Sequence, residues 1–136
     1  MRVCNNCETI FEDYLEAEIN YCPIRECGGE VIDIDDNMFE IYLILNEKGY
    51  WTENTCSGHS YSQLPRTYIQ FREDIPFSKL PKDYILNEHR EITKETKALI
   101  SRSYNRELSR KDLQITIWES LRDLLIWAEE LEYCDE

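Results

Sequence analysis

Four cysteines near the start of the chain restrict its fold more than any other feature of the sequence. They form two close pairs, Cys4 with Cys7 and Cys22 with Cys27, and fourteen residues separate the pairs. Two thiolates on each of two tight turns, joined by a short hairpin, suit tetrahedral zinc coordination. Because four protein ligands leave no open position for water, we predict one structural zinc ion.

The residues around these cysteines are typical of a zinc ribbon, which we predict over residues 1–35. Gly28 and Gly29 directly follow Cys27, at a point where the chain must bend sharply. A segment this short cannot bury its own hydrophobic core, so the metal would supply its free energy of folding. Four unligated or redox-active cysteines are the alternative, and thiolate ligands alone do not separate zinc from iron.

The hydrophobic pattern argues against a membrane protein and favours a reducing compartment. The sequence contains no run of about 18 apolar residues, which a membrane-spanning helix would need. Its first residues also lack the apolar stretch of a signal peptide. We therefore predict a cytoplasmic protein, whose six cysteines would stay reduced.

Negative charge dominates the chain but is unevenly distributed along it. The formal net charge is −13, and residues 1–36 carry −8, residues 37–110 carry +1 and residues 111–136 carry −6. Binding through phosphate neutralisation needs clustered lysines and arginines, which makes nucleic acid a poor candidate partner. An anionic ligand would instead bind in the middle block, where basic residues match acidic ones in number.

Residues 36–136 are predicted to form one compact α+β domain. Apolar residues from Asn37 to Lys48 recur at helical spacing, with Asp35 or Asp36 as the N-cap. The predicted strands, in chain order, are 31–34 in the ribbon, then one that starts at 50–52 and ends at the turn beginning with Cys56, and then 66–71, 84–86 and 97–104. The expected fold is an N-terminal zinc ribbon followed by a small sheet of about four strands, packed by a central helix and a long C-terminal helix.

The C-terminal helix is the clearest single element in the sequence. Ser109 is its predicted N-cap, and apolar residues recur every three or four positions beyond it. A helix this apolar needs a sheet or another subunit to cover it, which leaves a homo-oligomer open. Trp51, Trp118 and Trp127 are interpreted as core residues rather than as a stacking platform.

Between two predicted strands lies a Cys-Ser-Gly-His turn, whose residue types are the best suited to chemistry in the chain. In one interpretation this turn binds an anion or another ligand. Gly58 would let backbone amides converge, while Ser57 and His59 would add hydrogen-bond donors. Arg66, Arg72, Arg102 or Arg106 would then supply positive charge.

Two other interpretations of this turn compete with a ligand loop. Cys56 as a thiolate nucleophile and His59 as its base would make a small enzyme, provided that a third group orients the pair. Cys56 at a strand end, with His59 capping the turn, would make the segment purely structural. The sequence favours the structural interpretation over the ligand loop, and the ligand loop over catalysis.

The segment from Asp36 to His59 contains Leu-Asn-x-Lys-Gly-Tyr-x-Thr, starting at Leu45, and then Cys-Ser-Gly-His. Preceded by Cys-Pro-x3-Cys-Gly-Gly, it resembles a family of small, largely uncharacterised proteins of Gram-positive bacteria and their phages. Those proteins often carry Cys-Cys-Ser-Gly-His, where this chain has Thr55 in the first position. The resemblance implies a compact domain that presents this turn, and it implies no established activity.

A fainter similarity reaches the tRNA wybutosine-modification methyltransferases. Their motifs are Leu-Asn, then Tyr-x-Thr, then Ser-Cys-Ser-Gly-Arg, and in that family the turn lies near the cofactor and the RNA. In this chain His59 stands where the arginine would be, and the acidic charge does not suit tRNA. We therefore do not transfer methyltransferase activity to this chain.

These observations predict a non-enzymatic, zinc-stabilised binding or regulatory protein. Its expected partner is a protein or a small anionic, nucleotide-like ligand held by the Cys-Ser-Gly-His turn. The resemblance suggests a phage or mobile-element factor that blocks a host protein or sequesters a signal nucleotide. The alternatives are a small enzyme using Cys56 and His59, and an acidic inhibitor that mimics DNA. The sequence leaves open the identity of the ligand or partner and the oligomeric state.

Overall fold

The computed structural model describes residues 1–11, 20–59, 65–87 and 97–134. These residues form two antiparallel sheets and two α-helices, which confirms the predicted α+β class. The elements are β1 (Arg2–Cys4), β2 (Ile10–Phe11), β3 (Val31–Asp33), α1 (Phe39–Glu47), β4 (Thr52–Cys56), β5 (Arg66–Phe71), β6 (Ile85–Leu86), β7 (Leu99–Ser103) and α2 (Arg110–Glu130).

The two sheets lie in different parts of the chain. The first has the order β2-β1-β3 and contains the segment that carries the four paired cysteines. The second has four strands in the order β4-β5-β7-β6, in agreement with the expected strand number. In its central strand β5, Thr67, Ile69 and Phe71 are fully buried, so the predicted alternation of faces is confirmed.

Helix α1 forms where the apolar periodicity predicts it, but its N-terminus differs from the expectation. A 3-10 turn, Asp36–Met38, precedes the α-helix, and Asp35 stands at the N-cap of that turn without a capping hydrogen bond from its side chain. The Asp35 carboxylate instead accepts hydrogen bonds from Ser57, which follows β4. Asp35 thus occupies the predicted N-cap position, but its side chain does not cap the turn because a tertiary contact takes it.

Helix α2 begins as predicted, since Ser109 Oγ accepts a hydrogen bond from the Asp112 amide at 3.1 Å.

The inner face of α2, which includes Leu121 and Leu124, is buried by the rest of the described chain. Trp127 is buried too, but Trp118 is 64% exposed, and Trp51 is likewise on the surface. The core interpretation is thus wrong for these two tryptophans: Trp118 lies on a side of α2 that its neighbours do not cover, and Trp51 lies just before β4 at the surface. Neither described helix combines the length and hydrophobicity needed to cross a membrane.

A single hydrophobic core connects the cysteine-bearing segment with the rest of the described chain. Val3 of β1 and Ile34 belong to the same buried cluster as Leu45 of α1 and Leu124 of α2. The ends of the two helices are also joined, because Lys48 donates hydrogen bonds to main-chain oxygens at the end of α2. The predicted domain boundary between residues 35 and 36 stays a prediction, although the shared hydrophobic core contains residues from both sides of it.

Candidate metal centre and adjoining pocket

The four paired cysteines form one cluster, which we call the four-cysteine cluster. The Sγ atoms of Cys4 and Cys27 are 3.6 Å apart, and those of Cys7 and Cys22 are 3.7 Å apart. All four sulfurs lie within 4.8 Å of one another. Two metal–sulfur bonds of about 2.3 Å at the tetrahedral angle would separate their sulfurs by roughly 3.8 Å. The cluster is therefore a candidate metal site, and none of its cysteines forms a disulfide.

Hydrogen bonds to sulfur hold this cluster in place. The backbone amides of Asn6 and Cys7 lie 3.3 and 3.4 Å from Cys4 Sγ. The side-chain amide of Asn6 donates both to Cys27 Sγ, at 3.4 Å, and to the Cys27 carbonyl oxygen, at 3.0 Å. N–H donors that point at sulfur stabilise the thiolate form, which is the form that binds metal.

The same contacts change the acidity of the thiols. The hydrogen bond from Asn6, followed by one from the Gly29 backbone, lowers the pKa of Cys27 to about 6. The Thr9 hydroxyl lowers the pKa of Cys7. Burial, together with the neighbouring sulfurs, raises the pKa of Cys22 to about 12. Metal binding would therefore compete with the remaining thiol protons of the cluster and release them.

The glycine pair beside the cluster has two distinct roles. A Cβ atom on Gly29 would lie 2.5 Å from Cys4 Sγ and 2.8 Å from Asn6 Cβ, so only glycine fits against the cluster. Gly28 has a φ of +68° but open space around it, so its requirement is conformational. The sharp bend expected after Cys27 is present, and its tightest constraint falls on Gly29.

The Cys-Ser-Gly-His turn is anchored from both sides by buried hydrogen bonds. Asp35 Oδ2 accepts from the Ser57 amide at 2.9 Å and from Ser57 Oγ at 2.8 Å. Thr67 Oγ1 donates to the Ser57 carbonyl oxygen at 2.8 Å and lies 2.6 Å from the Tyr104 hydroxyl. Since the Thr67 proton goes to a carbonyl oxygen, the Tyr104 hydroxyl must donate to Thr67. Ser57 thus has a structural role at the start of the turn.

Gly58 is buried in this turn and has a φ of +86°. A Cβ atom there would lie 2.9 Å from Thr67 Oγ1 and 3.4 Å from the Tyr104 ring. Replacing Gly58 would therefore strain the backbone and disturb the hydrogen bonds of the turn. The residue matters for folding, so substitution of His59 is a cleaner probe of function.

The fold brings Asp35 beside Cys56 and His59. One ligand atom from each of the three side chains lies within 4.8 Å of the other two, and His59 Nε2 is 3.8 Å from Asp35 Oδ2. Burial alone would raise the pKa of Asp35, but the hydrogen bonds from Ser57 and the nearby His59 hold it below its ordinary value. The sequence pattern predicts only a helix cap at Asp35, because nothing in it links this residue to Cys56 and His59, more than twenty positions further on.

A pocket of about 330 Å³ opens between this turn and α2. Gly58 and His59 line one side, and Arg110, Gln114 and Trp118 line the other. A second pocket of about 280 Å³ adjoins it, and the two share Asn37, Trp118 and Leu121. The turn therefore borders a concave surface that carries an arginine and an exposed indole.

Of the arginines expected at the turn, Arg66 lies beside Gly58, with its carbonyl oxygen 3.5 Å from where a Cβ on that glycine would be, whereas Arg72 lies away from the turn. Arg72 is at the opposite end of β5, where its guanidinium lies 3.4 Å from the Asn5 carbonyl oxygen and over the Trp51 ring. Arg66 stacks on Tyr68, with 5.1 Å between its guanidinium carbon and the ring centroid. Of these three described arginines, only Arg110 lines the pocket beside His59.

The expected resemblance to small Gram-positive and phage proteins rests on the segment from Asp36 to His59, most of which the structure describes as α1, β4 and the start of the turn. It stays a prediction, as does the fainter similarity to the wybutosine methyltransferases. Comparison with models of protein families, with curated proteins and with solved structures finds no match to this chain.

Proposed function

We propose that the protein is a zinc-stabilised binding protein that holds a small anionic ligand between the Cys-Ser-Gly-His turn and α2. The observation that carries this proposal is the pocket in which His59 faces Arg110, Gln114 and Trp118. The proposed ligand combines a negatively charged group with a planar ring, as a nucleotide does. Its charged group pairs with Arg110, and its ring packs against Trp118.

The chemistry of the lining supports such a ligand. Arg110 is the first residue of α2, where both its guanidinium and the positive end of the helix dipole favour an anion. Gln114 and Trp118 follow at intervals of four residues, so all three side chains lie along one side of the helix. An exposed indole offers a flat apolar face for a planar ring. A volume of about 330 Å³ lies at the lower end of the range for small-molecule sites.

The four-cysteine cluster supports the other half of the proposal, a structural zinc ion. Its sulfur separations suit a tetrahedral ion, and four sulfurs complete the coordination without a substrate position. The cluster lies at β1 and its adjoining turns, whereas the pocket lies against α2. In this proposal zinc therefore orders the ribbon and takes no part in holding the ligand.

Calorimetric titration with nucleoside monophosphates and diphosphates tests the ligand, with inorganic phosphate and uncharged nucleosides as comparisons. Arg110→Gln should weaken binding by about 10- to 100-fold, since a hydrogen bond to a charged group contributes about 1.5–3 kcal/mol. Lys111→Gln is the matched control, because it removes the same charge from the next residue, which does not line the pocket. Equal affinity for wild type and Arg110→Gln, or no binding to any compound of the panel, would contradict the proposal.

The enzymatic alternative retains one supporting observation. Asp35 lies 3.8 Å from His59 Nε2 and so provides the third group that a Cys56–His59 pair would need for orientation. The DNA-mimic and phage hypotheses stay predictions that rest on charge and resemblance. The pocket favours ligand binding over the enzymatic and DNA-mimic alternatives, because it adds a cation and an aromatic surface to the turn.

A further inference from the structure

We propose that Asp35, Cys56 and His59 form a second metal site, distinct from the four-cysteine cluster, for a divalent ion of the zinc class. The three residues come from different parts of the fold. Asp35 precedes the 3-10 turn before α1, Cys56 ends β4, and His59 follows in the turn. Their ligand atoms nevertheless lie within 4.8 Å of one another, a grouping that the long sequence separation does not predict.

The distance between the His59 imidazole and the Asp35 carboxylate is close to that of two ligands on one ion. Nitrogen and oxygen ligands at about 2.0–2.1 Å from tetrahedral zinc would be separated by roughly 3.3 Å. His59 Nε2 and Asp35 Oδ2 are 3.8 Å apart, and the His59 side chain is 39% exposed. The observed separation therefore exceeds the expected one by about 0.5 Å.

The donor set selects the kind of metal. One sulfur, one nitrogen and one oxygen suit zinc or cobalt, whereas magnesium and calcium prefer oxygen ligands throughout. Three protein ligands also leave a fourth position open, unlike the complete set of the four-cysteine cluster. Because His59 lines the pocket between the turn and α2, that open position would be accessible from the pocket.

Surrounding hydrogen bonds hold the carboxylate in position for this role. The Ser57 amide and hydroxyl both donate to Asp35 Oδ2, and Ser57 is only 2% exposed. Both bonds go to Oδ2 and occupy its two acceptor positions, so Oδ1 is the oxygen left to bind an ion. Such buried partners fix the orientation of a metal-binding carboxylate.

Metal stoichiometry tests the proposal directly. Protein purified without chelator is equilibrated with Zn²⁺, freed of unbound metal and analysed by mass spectrometry. Parallel samples of each variant are loaded with Co²⁺ instead of Zn²⁺ for absorption spectroscopy. Wild type should bind two ions per chain. His59→Ala and Cys56→Ser should each bind one, and should lose part of the thiolate-to-cobalt charge-transfer absorption.

Matched controls separate this site from adventitious binding. His89→Ala removes the only other histidine and should retain two ions, as should Cys134→Ser. A wild type that binds a single ion, or a His59→Ala variant that retains two, would overturn the proposal. If Cys56→Ser fails to fold by circular dichroism, the His59→Ala result decides alone, because His59 is partly exposed. The count does not depend on ligand binding, so it stands or falls separately from the proposed function.

Discussion

At the scale of single residues, the candidate metal centre depends on one glycine that has no side chain to contribute. Gly29 is buried against Cys4 Sγ and Asn6, whereas its neighbour Gly28 is exposed. Both follow Cys27, and their sequence context is nearly the same. A Cβ atom would clash with the cluster at Gly29 but would meet open space at Gly28. Substitutions at the two positions therefore distinguish a need for space beside the cluster from a need for a flexible bend.

Gly29→Ala should weaken zinc binding by at least about tenfold, equivalent to about 1.4 kcal/mol. The added Cβ would lie 2.5 Å from Cys4 Sγ, so this sulfur must move out of the tetrahedral arrangement. Gly28→Asn is the control, since asparagine tolerates a positive φ and open space surrounds that position. Competition for zinc with a chromophoric chelator measures both affinities. Equal affinities for the two variants would show that the cluster does not need a close approach at Gly29.

At the scale of secondary-structure elements, the most specific link between the two helices is Lys48. Its Nζ donates to the carbonyl oxygens of Ala128, Glu129 and Leu131 at 3.0, 2.6 and 2.6 Å. These oxygens belong to the end of α2, where main-chain carbonyls have no partner within the helix. A cation from α1 thus satisfies the C-terminus of α2 and interacts favourably with its dipole.

Lys48→Met should destabilise the fold by on the order of 1–3 kcal/mol, since methionine keeps the apolar stem but removes hydrogen bonds made by a charged donor. Lys111→Met makes the same chemical change in the exposed first turn of α2 and should change stability by less than about 0.5 kcal/mol. Urea unfolding followed by circular dichroism gives both values. A Lys48→Met midpoint equal to that of Lys111→Met would contradict this capping role.

The sequence predicted the elements themselves much better than the contacts between them. The alternation in β5 and the helical spacing of α1 and α2 are local patterns, and they set which faces are buried. Asp35 has the local features of a helix cap, yet it binds Ser57 because the fold brings β4 beside it. Likewise, the spacing of Arg66 and Arg72 does not reveal that the two ends of β5 face different surroundings.

The same distinction between local patterns and long-range contacts applies to the candidate functional site. The four cysteines lie in two short motifs, so their grouping followed from spacing alone. The pocket joins the Cys-Ser-Gly-His turn to α2, which begins some fifty residues later in the chain. Arg110 and Trp118 therefore had no sequence signal that tied them to His59, and only the packing of α2 beside the turn places them there.

At the scale of the whole molecule, the metal centre and the hydrophobic core should be energetically coupled. Val3 is fully buried, lies next to Cys4 of the four-cysteine cluster in β1, and belongs to the same core cluster as Leu45 of α1. Removing the metal should release β1 and expose Val3, because coordination and folding of a short metal-binding segment form one equilibrium. Loss of the ion should therefore affect the core as well as the ribbon.

Metal removal should lower the free energy of unfolding of the described fold by at least about 1.5–3 kcal/mol. This is the free energy gained by burying one large apolar side chain, and Val3 would lose it. The helical signal should survive at 25 °C, since α1 and α2 retain their contacts with each other and with the four-stranded sheet. Urea unfolding with and without a strong chelator measures the change, and hydrogen exchange locates it, with protection lost first in β1 and β3 and reduced in α1. Cys22→Ser should reproduce the effect without chelator, while Cys134→Ser, outside the four-cysteine cluster, should not. The predicted coupling would be contradicted if hydrogen exchange changed only in residues 1–35 while the unfolding midpoint stayed constant. Those residues would then fold independently of the hydrophobic core that contains Val3.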